Sequence, residues 1–372
     1  MSTGRAKVFN VLALNSGSSS LKYGLYGVQA AGTEALLEET AATPDPEDAI
    51  RRVAGAIALA KLPAPDAIGH RIVHGGPQLR QHCLIDNAVL RQLEAAAAFA
   101  PLHTPAALAV IRGAQHHFPT LPQVACFDTR FHAGLPDVAR VLPIAKELQA
   151  EGIQRYGFHG LSLESIVRQL GDDLPERLVI AHLGSGASIT AVKGGLSIDT
   201  SMGLTPTGGV IMGTRSGELD PGVLIYLLRE KKFDAARLED LVNHRSGLLG
   251  ISGVSSDMRR LHEAAPVNPD ARLAVEMFCY SVRKHVAAMI AVLGGLDMLV
   301  FTGGIGENDA PVRAAICAGL TWIGISLDES RNRAASDPID DGTSRCSVRV
   351  LISREDEQIA RHTWALSSSG PG

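Results

Sequence analysis

The sequence predicts an α/β protein built by duplication, with two domains of one pattern in a single chain. Two short stretches far apart carry that expectation. Residues 8–26 run an apolar strand into Asn15-Ser16-Gly17-Ser18-Ser19-Ser20 and leave on a second strand. Residues 177–192 do the same through Gly184-Ser185-Gly186-Ala187-Ser188. A tight Gly/Ser hairpin presents backbone N–H groups and hydroxyls to an anion with no bulky side chain in the way. One such hairpin is an ordinary turn. Two, each opening half of the chain, suggest halves that clasp one polyanion, a nucleoside triphosphate, between them. The third observation is the alternation of strands and helices throughout, the mark of α/β layers.

The elements follow in order. Val8–Leu14 is the first strand. Asp45-Pro46-Glu47 caps a helix through Ala60, with Ala49, Ile50, Val53, Ile57 and Ala60 on one face. The next helix takes Thr104 as N-cap and Pro105 as its first residue. Gln123–Phe127 is a short apolar run, a buried strand ending on Asp128. In the second half Leu178–Leu183 is a strand, and Asp220-Pro221 starts a helix to about Arg229. A long helix runs from Asp270 to about Leu293. The strand Leu296–Phe301 then feeds a loop, Thr302 to Gly306, before a helix begun near Asn308. The last helix covers about Glu355–Ala365, and the tail Ser367–Gly372 reads as disordered. Residues 1–127 are expected to form the first domain and 128–356 the second, nucleotide-binding one. A C-terminal helix of about 357–372 should pack back on the first.

Bulk properties exclude several classes of function. With 372 residues the chain can hold two cores. A net charge of -4 and only 4% aromatic residues argue against a nucleic-acid partner. Five cysteines without CxxC spacing read as buried thiols in a reducing compartment, not as a zinc site or disulfides. No secretory leader is visible, and the apolar stretch Val286–Phe301 is broken by Gly294-Gly295 and Asp297. A cytoplasmic protein with no membrane contact is expected.

A series of motifs occurs in fixed order: Asn15-Ser-Gly-Ser-Ser-Ser-Leu-Lys22, His70-Arg-Ile-Val-His-Gly-Gly76, Pro101-Leu-His103, Phe127-Asp-Thr129 and Tyr156-Gly-Phe-His-Gly160. His182-Leu-Gly-Ser-Gly-Ala-Ser188, Asp199-Thr-Ser-Met-Gly-Leu-Thr-Pro206, Met212-Gly-Thr-Arg-Ser-Gly217 and Phe301-Thr-Gly-Gly-Ile-Gly-Glu-Asn308 follow. Together they resemble the acetate kinase family of short-chain acyl kinases, over nearly the whole chain. The resemblance implies a duplicated, actin-like (ribonuclease H-like) ATPase fold with a nucleotide cleft between the domains. It also implies reversible transfer of the ATP γ-phosphoryl group to acetate, and a homodimer.

The residue types suit that chemistry. A carboxylate is already ionised at neutral pH, with carboxyl pKa values near ~4, so its attack on phosphorus needs no general base. Anion–anion repulsion is the difficulty, and fixed positive charge with in-line positioning answers it. Arg71 and Arg215 can supply the charge, and His159 and His103 can donate hydrogen bonds to the phosphoryl oxygens. An arginine on a strand is ordinarily a surface ion pair; the intact motif around Arg71 argues otherwise. The resemblance makes Arg71, Arg215 and His159 catalytic and gives Asp128 the orienting of the arginines or the metal. It lines the acyl pocket with Arg71, Val73, Leu102, Phe158 and Pro206. On the nucleotide side it implies Lys22, Ser18, Ser20, His182, Gly184, Ser185, Gly186, Asp257, Met258, Arg259, Gly303, Gly304, Ile305, Gly306 and Asn308. Asn15 and Glu355 match metal-side residues. Triphosphate oxygens and a few carboxylates suit Mg²⁺, with Mn²⁺ as a substitute. His70 and His74, four apart on a strand, share a face and read as structural.

Four features depart from the family pattern. Ser185 stands where asparagine is usual, Thr207-Gly208 where Leu-Glu is common, and Leu161 and Leu163 where polar residues follow the Tyr-Gly-Phe-His motif. The stretch from Tyr26 to Arg71 is also short. Propionate or butyrate as the acceptor remains open, since one methylene in an apolar pocket is worth only about 1–3 kcal/mol. A nucleotide-switched clamp of the same fold is the alternative from another class. It gives Arg71, His103, His159 and Arg215 no evident use. A phosphotransacylase-like enzyme without nucleotide leaves the paired hairpins unexplained.

Overall fold

The computed structural model describes residues 8–16, 21–41, 45–100 and 103–368. Ser18, Ser20 and Leu102 lie outside them. The chain divides into two compact units, Met1–Ala133 with Gly160–Ser165 and Arg354–Gly372, and Gly134–His159 with Ile166–Ser353.

The first unit carries strands β1 (Phe9–Ser16), β2 (Leu21–Gln29), β3 (Gly32–Ala41), β4 (Ala67–Ile72), β5 (Cys83–Leu84) and β6 (Gln123–Phe127) in the order β3-β2-β1-β4-β6-β5. β1, β2 and β3 form an antiparallel meander, and β4 and β6 extend it in parallel from β1. The central strand β1 is buried on both faces, so its apolar residues run without a break. Alternate side chains serve two layers. Leu12 and Leu14 meet Ile50, Val53 and Ile57 of the helix Pro46–Leu59. Val11 and Ala13 meet Ile359 and Ala360 of the C-terminal helix Glu355–Ser368. Gly69 in β4 is what lets that last helix approach. A Cβ there would lie 2.2 Å from Thr363 Oγ1 and 2.6 Å from Ile359 Cγ2.

The second unit repeats the plan. Strands β7 (Arg177–Leu183), β8 (Ala187–Lys193), β9 (Leu196–Thr200), β10 (Met298–Thr302) and β11 (Ser347–Val350) are ordered β11-β10-β7-β8-β9. β7, β8 and β9 are the antiparallel meander, and β10 and β11 extend it in parallel. Read outward from the meander, the sheet has the order of the first one without the short edge strand β5. The duplication expected from the two hairpins is present as shared topology.

Several boundaries differ from expectation. The first helix ends at Leu59, with Ala60 as its C-cap. Thr104 is the first residue of its helix and His103 occupies the cap position. The long helix starts at Pro269, because Asn268 Oδ1 accepts both Asp270 N and Ala271 N and so caps it two residues before Asp270. The strand expected from Leu296 begins at Met298. Thr302–Gly306 is not a loop: a helix spans Gly303–Asn308, and Asp309 caps a second, Ala310–Ala318. Ser367 and Ser368 belong to the last helix. His74 lies beyond β4 and shares no strand face with His70. Each histidine nonetheless serves a local hydrogen bond, His70 Nε2 to Gln123 Oε1 at 2.8 Å and His74 Nδ1 from Gly76 N at 2.8 Å. Burial pushes the His70 imidazole down to about 4, so it is neutral. All five cysteines are free thiols, Cys83 the least buried. Among the described residues no helix is long and apolar enough to cross a membrane.

Candidate active site

In the first unit the parallel register assembles the site. Arg71 pairs with Cys126 and Ile72 with Phe127, so β4 and β6 end side by side, and Asp128 N donates to Ile72 O at 2.9 Å. Near its end β1 brings Asn15 beside them, since the preceding Leu14 pairs with His70. Asn15, Arg71 and Asp128 therefore stand at the carboxyl ends of three neighbouring strands, where open α/β sheets place ligands. Arg71 Nε and Nη2 donate to Asp128 Oδ2 at 3.0 and 2.6 Å, and Nη1 donates to Asn15 Oδ1 at 3.1 Å. Asn15 Nδ2 turns to the first turn of the C-terminal helix, reaching Asp356 Oδ1 at 2.9 Å and Glu355 Oε2 at 3.3 Å. Arg71 Nε lies 3.9 Å from Glu355 Oε2. Lys22 is Asn15's cross-strand partner, with an exposed side chain.

Charge in this cluster is unbalanced. Burial opposes ionisation of Arg71, but Asp128 and Glu355 outweigh it and hold the guanidinium charged. Burial pushes the Asp128 carboxyl up, and Glu355 adds to the rise against the pull of Arg71. Burial likewise raises Asp356, with Asn15 opposing and Glu355 reinforcing. Asp128 is 1% exposed, and its Oδ1 is buried without a hydrogen-bond partner. Three carboxylates, one arginine and an orphaned oxygen suit a hard divalent cation, which takes oxygen ligands. The residues present fit a divalent metal ion. Sequence reasoning chose Asn15 and Glu355 and passed over Asp356, whose place beside Asn15 appears only once the last helix is docked.

The second unit repeats the placement at its own strand ends. His182, the last residue but one of β7, pairs with Thr302 of β10, and the hairpin Gly184–Gly186 follows the strand, closed by Gly184 N to Gly186 O at 3.0 Å. His159 precedes the helix Gly160–Leu170 in a left-handed conformation, φ 61°, which is strained for a residue with a side chain. Its Nδ1 meets Ser188 Oγ at 3.0 Å, and its ring stacks on His182 with centroids 4.2 Å apart. Arg215 Nη1 donates to Pro206 O at 3.1 Å. These contacts leave His159 Nε2 and Arg215 Nη1 facing the hairpin. A Cβ on Gly186 would lie 3.3 Å from the first and 3.4 Å from the second. A side chain at 186 would press on both, and two side-chain nitrogens converge on the turn.

The remaining nucleotide-side residues gather here only in part. Gly213 N donates to Ser185 O at 3.2 Å, and a Cβ on Gly213 would lie 3.2 Å from Ser256 O, so the hairpin adjoins the segment before Asp257. A Cβ on Gly184 would lie 3.8 Å from Gly304 N, at the start of the Gly303–Asn308 helix. Asp257 caps its own helix and pairs with exposed Arg259 at 2.7 Å, while the Met258 side chain is buried. Ile305 is half-buried, Gly306 is buried, and Asn308 Nδ2 donates to Gly304 O. Phe158 and Pro206 are buried in this unit; Val73 and His103 are half-buried in the first. Two supports were missed. Glu307 Oε1 accepts Gly303 N and Ser353 N, each at 2.9 Å. Buried Arg313 Nη1 donates to Gly306 O and Glu307 O, while Nε reaches Asn332 Oδ1. Together they fix the glycine turn from both sides. A Glu five residues after a buried strand's end was the available signal.

A sequence model of the acetokinase family matches residues 33–361. An acetate kinase from Methylocella silvestris is 41% identical over 96% of this chain and 97% of its own. Among solved structures, a propionate kinase from Francisella tularensis is similar at a TM-score of 0.87 and 36% identity, covering 96% of this chain and 100% of its own. An acetate kinase from Porphyromonas gingivalis is similar at 0.83 and 34%, with the same coverage.

Proposed function

The chain belongs to the acetokinase family and has its duplicated actin-like ATPase fold, and from that premise we propose how its residues act as an acetate kinase. Transfer of the ATP γ-phosphoryl group to acetate forms a bond from a carboxylate oxygen to phosphorus. It breaks the bond from phosphorus to the β–γ bridging oxygen, and ADP leaves with the electron pair. No proton moves, so the histidines serve as donors and not as bases. The observation that carries this reading is the convergence of His159 Nε2 and Arg215 Nη1 on the glycine hairpin at Gly186. Donors held there, one by Ser188 and the other by Pro206, oppose charge on the equatorial phosphoryl oxygens without reorganising. Arg71, fixed by Asp128 and Asn15, acts as the second cation and takes the acyl carboxylate. Asn15, Asp128, Glu355 and Asp356 would hold Mg²⁺, which when bound offsets triphosphate charge. The family resemblance assigns the methyl group to Val73, Phe158 and Pro206, and to Leu102, which lies outside the described residues.

The likeness to a solved propionate kinase keeps one further reading in play, a longer acid in the same site. Hydroxylamine trapping of acyl phosphate, with ATP and a panel from formate to butyrate, tests both. The highest kcat/KM is expected with acetate. A maximum at propionate or butyrate would replace the substrate, and no trapped product from any acid would overturn the kinase reading.

A homodimer accounts for an otherwise costly surface. In the helix Pro221–Arg229 no residue is buried, and Val223, Ile225, Tyr226 and Leu228 are 41–52% exposed. An apolar helix of this kind marks an interaction face, and a second copy of the chain is the proposed partner. Light scattering of Ile225→Asp should report a monomer where the parent chain is a dimer. The five free thiols fit a reducing, cytoplasmic setting.

A further inference from the structure

A second group of titratable side chains lies in the first unit, outside the Arg71 cluster. His82 precedes β5, and its Nδ1 accepts Phe127 N at 3.0 Å. Glu164 Oε2 lies 2.6 Å from His362 Nε2 and 3.8 Å from His82 Nε2, and the two imidazole centroids are 4.0 Å apart. These three ligand atoms sit within 4.8 Å of one another, the spacing of a cation site. The hydrogens argue against a cation. His82 Nδ1 must keep its lone pair for the Phe127 amide, so the neutral ring carries its hydrogen on Nε2. That nitrogen is buried without a hydrogen-bond partner and offers a metal no lone pair. The 2.6 Å contact to a carboxylate puts a hydrogen on His362 Nε2 as well. Burial alone would raise Glu164's carboxyl; the His362 and His82 imidazoles outweigh it and hold the group at about 2. Glu164 is therefore one carboxylate between two N–H groups.

What the three residues join gives them a use. Phe127 is the residue before Asp128. Gly160 N, one turn before Glu164 on the same helix, donates to Asp128 O at 2.8 Å. His362 is two turns beyond Glu355 and Asp356 on the C-terminal helix. We propose that His82, Glu164 and His362 form a positioning clamp that holds the Phe127 N–H and, through the helix carrying Glu164, the Asp128 carbonyl against the Glu355–Asp356 pair. The clamp sets the affinity of that oxygen cluster for its divalent cation. The inference rests on the metal site assigned above to these carboxylates.

The test compares the full chain with Glu164→Ala, Glu164→Gln and Val53→Ala. The last opens a cavity in the opposite layer of the same unit and controls for lost stability alone. Mn²⁺ binding to the protein without nucleotide is followed by electron paramagnetic resonance, beside Tm, kcat and KM. Glu164→Ala should weaken Mn²⁺ binding about tenfold, the usual scale for losing a group that orients a ligand. It should lower kcat while KM for ATP stays within about twofold. Glu164→Gln keeps an acceptor oxygen and should recover most of both losses. Should Glu164→Ala fail to fold, His362→Gln removes the 2.6 Å bond to Glu164 and is read in the same way. Unchanged Mn²⁺ affinity in Glu164→Ala, an equal loss in Val53→Ala, or no recovery in Glu164→Gln would each overturn the clamp. A parent chain that forms no acyl phosphate, yet whose Mn²⁺ affinity still depends on Glu164, would refute the kinase reading alone.

Discussion

Replacing Arg71 by alanine should damage rate and stability through separable causes. Arg71 gives Asp128 Oδ2 two hydrogen bonds, and Asp128 Oδ1 has none. The variant therefore strands a carboxylate that is 1% exposed. Removing one member of a buried pair costs about 3–5 kcal/mol; with the Arg71 side chain 19% exposed, the low end, about 3, applies. For a domain of this size each kcal/mol moves Tm by about 2–4 °C, so a drop of about 6–12 °C is expected. Loss of a fixed donor at the reacting group should lower kcat by about 10²–10³. Calorimetry reads the first effect and hydroxylamine capture of acyl phosphate the second. The double variant Arg71→Met/Asp128→Asn distinguishes them. It removes the stranded charge and should regain most of the lost Tm while its rate stays low. A folded Arg71→Ala chain with near-normal turnover would refute the catalytic role. A double variant no more stable than the single would refute the account of the stability loss.

Asp128→Asn should bind ATP about as well as the parent by isothermal titration yet be nearly inactive; lost ATP binding with residual turnover would make Asp128 structural instead. His159→Gln should retain more activity than His159→Ala, because a neutral donor suffices, and equal losses would count against that role. Ser188→Ala removes the hydroxyl that meets His159 Nδ1 and should lower kcat several-fold with little change in KM. Val73→Ala opens about two methylenes of space, each contributing roughly 0.8 kcal/mol, and should shift kcat/KM toward propionate or butyrate several-fold. An unchanged ranking of acids would remove Val73 from the pocket.

Much of this architecture was legible because it is written in local pattern. The hairpins at Asn15 and Gly184 announced the repeat, and the buried run Gln123–Phe127 placed Asp128 at a strand end. Local pattern also misled where two readings fit. Thr302–Gly306 reads as a loop from its glycines, but Glu307 accepts Gly303 N and Arg313 holds the far end, so the segment is helical. Asp270 resembles a cap until Asn268 takes both free amides. The groups that escaped notice are bound by distant partners. Asp356 meets Asn15 across 341 positions, and Glu164 meets His362 across 198. No window of sequence contains both members of such a pair, and their pairing depends on how a whole sheet is covered.

The C-terminal helix over Gly69 bears on how the protein is made. Residues 355–363 supply Glu355 and Asp356 to Asn15 and bury Ile359, Ala360 and Thr363 on the first sheet. The second unit draws only on residues 134–159 and 166–353. On the ribosome, the unit translated first is thus the last to be finished. A nascent chain short of residue 354 can complete the later sheet but carries an uncovered apolar face on the earlier one, over Val11, Ala13, Val124 and Cys126. That face invites chaperone capture or aggregation during synthesis, and a premature stop just before the helix should send the product to proteolysis and not leave a half-active enzyme.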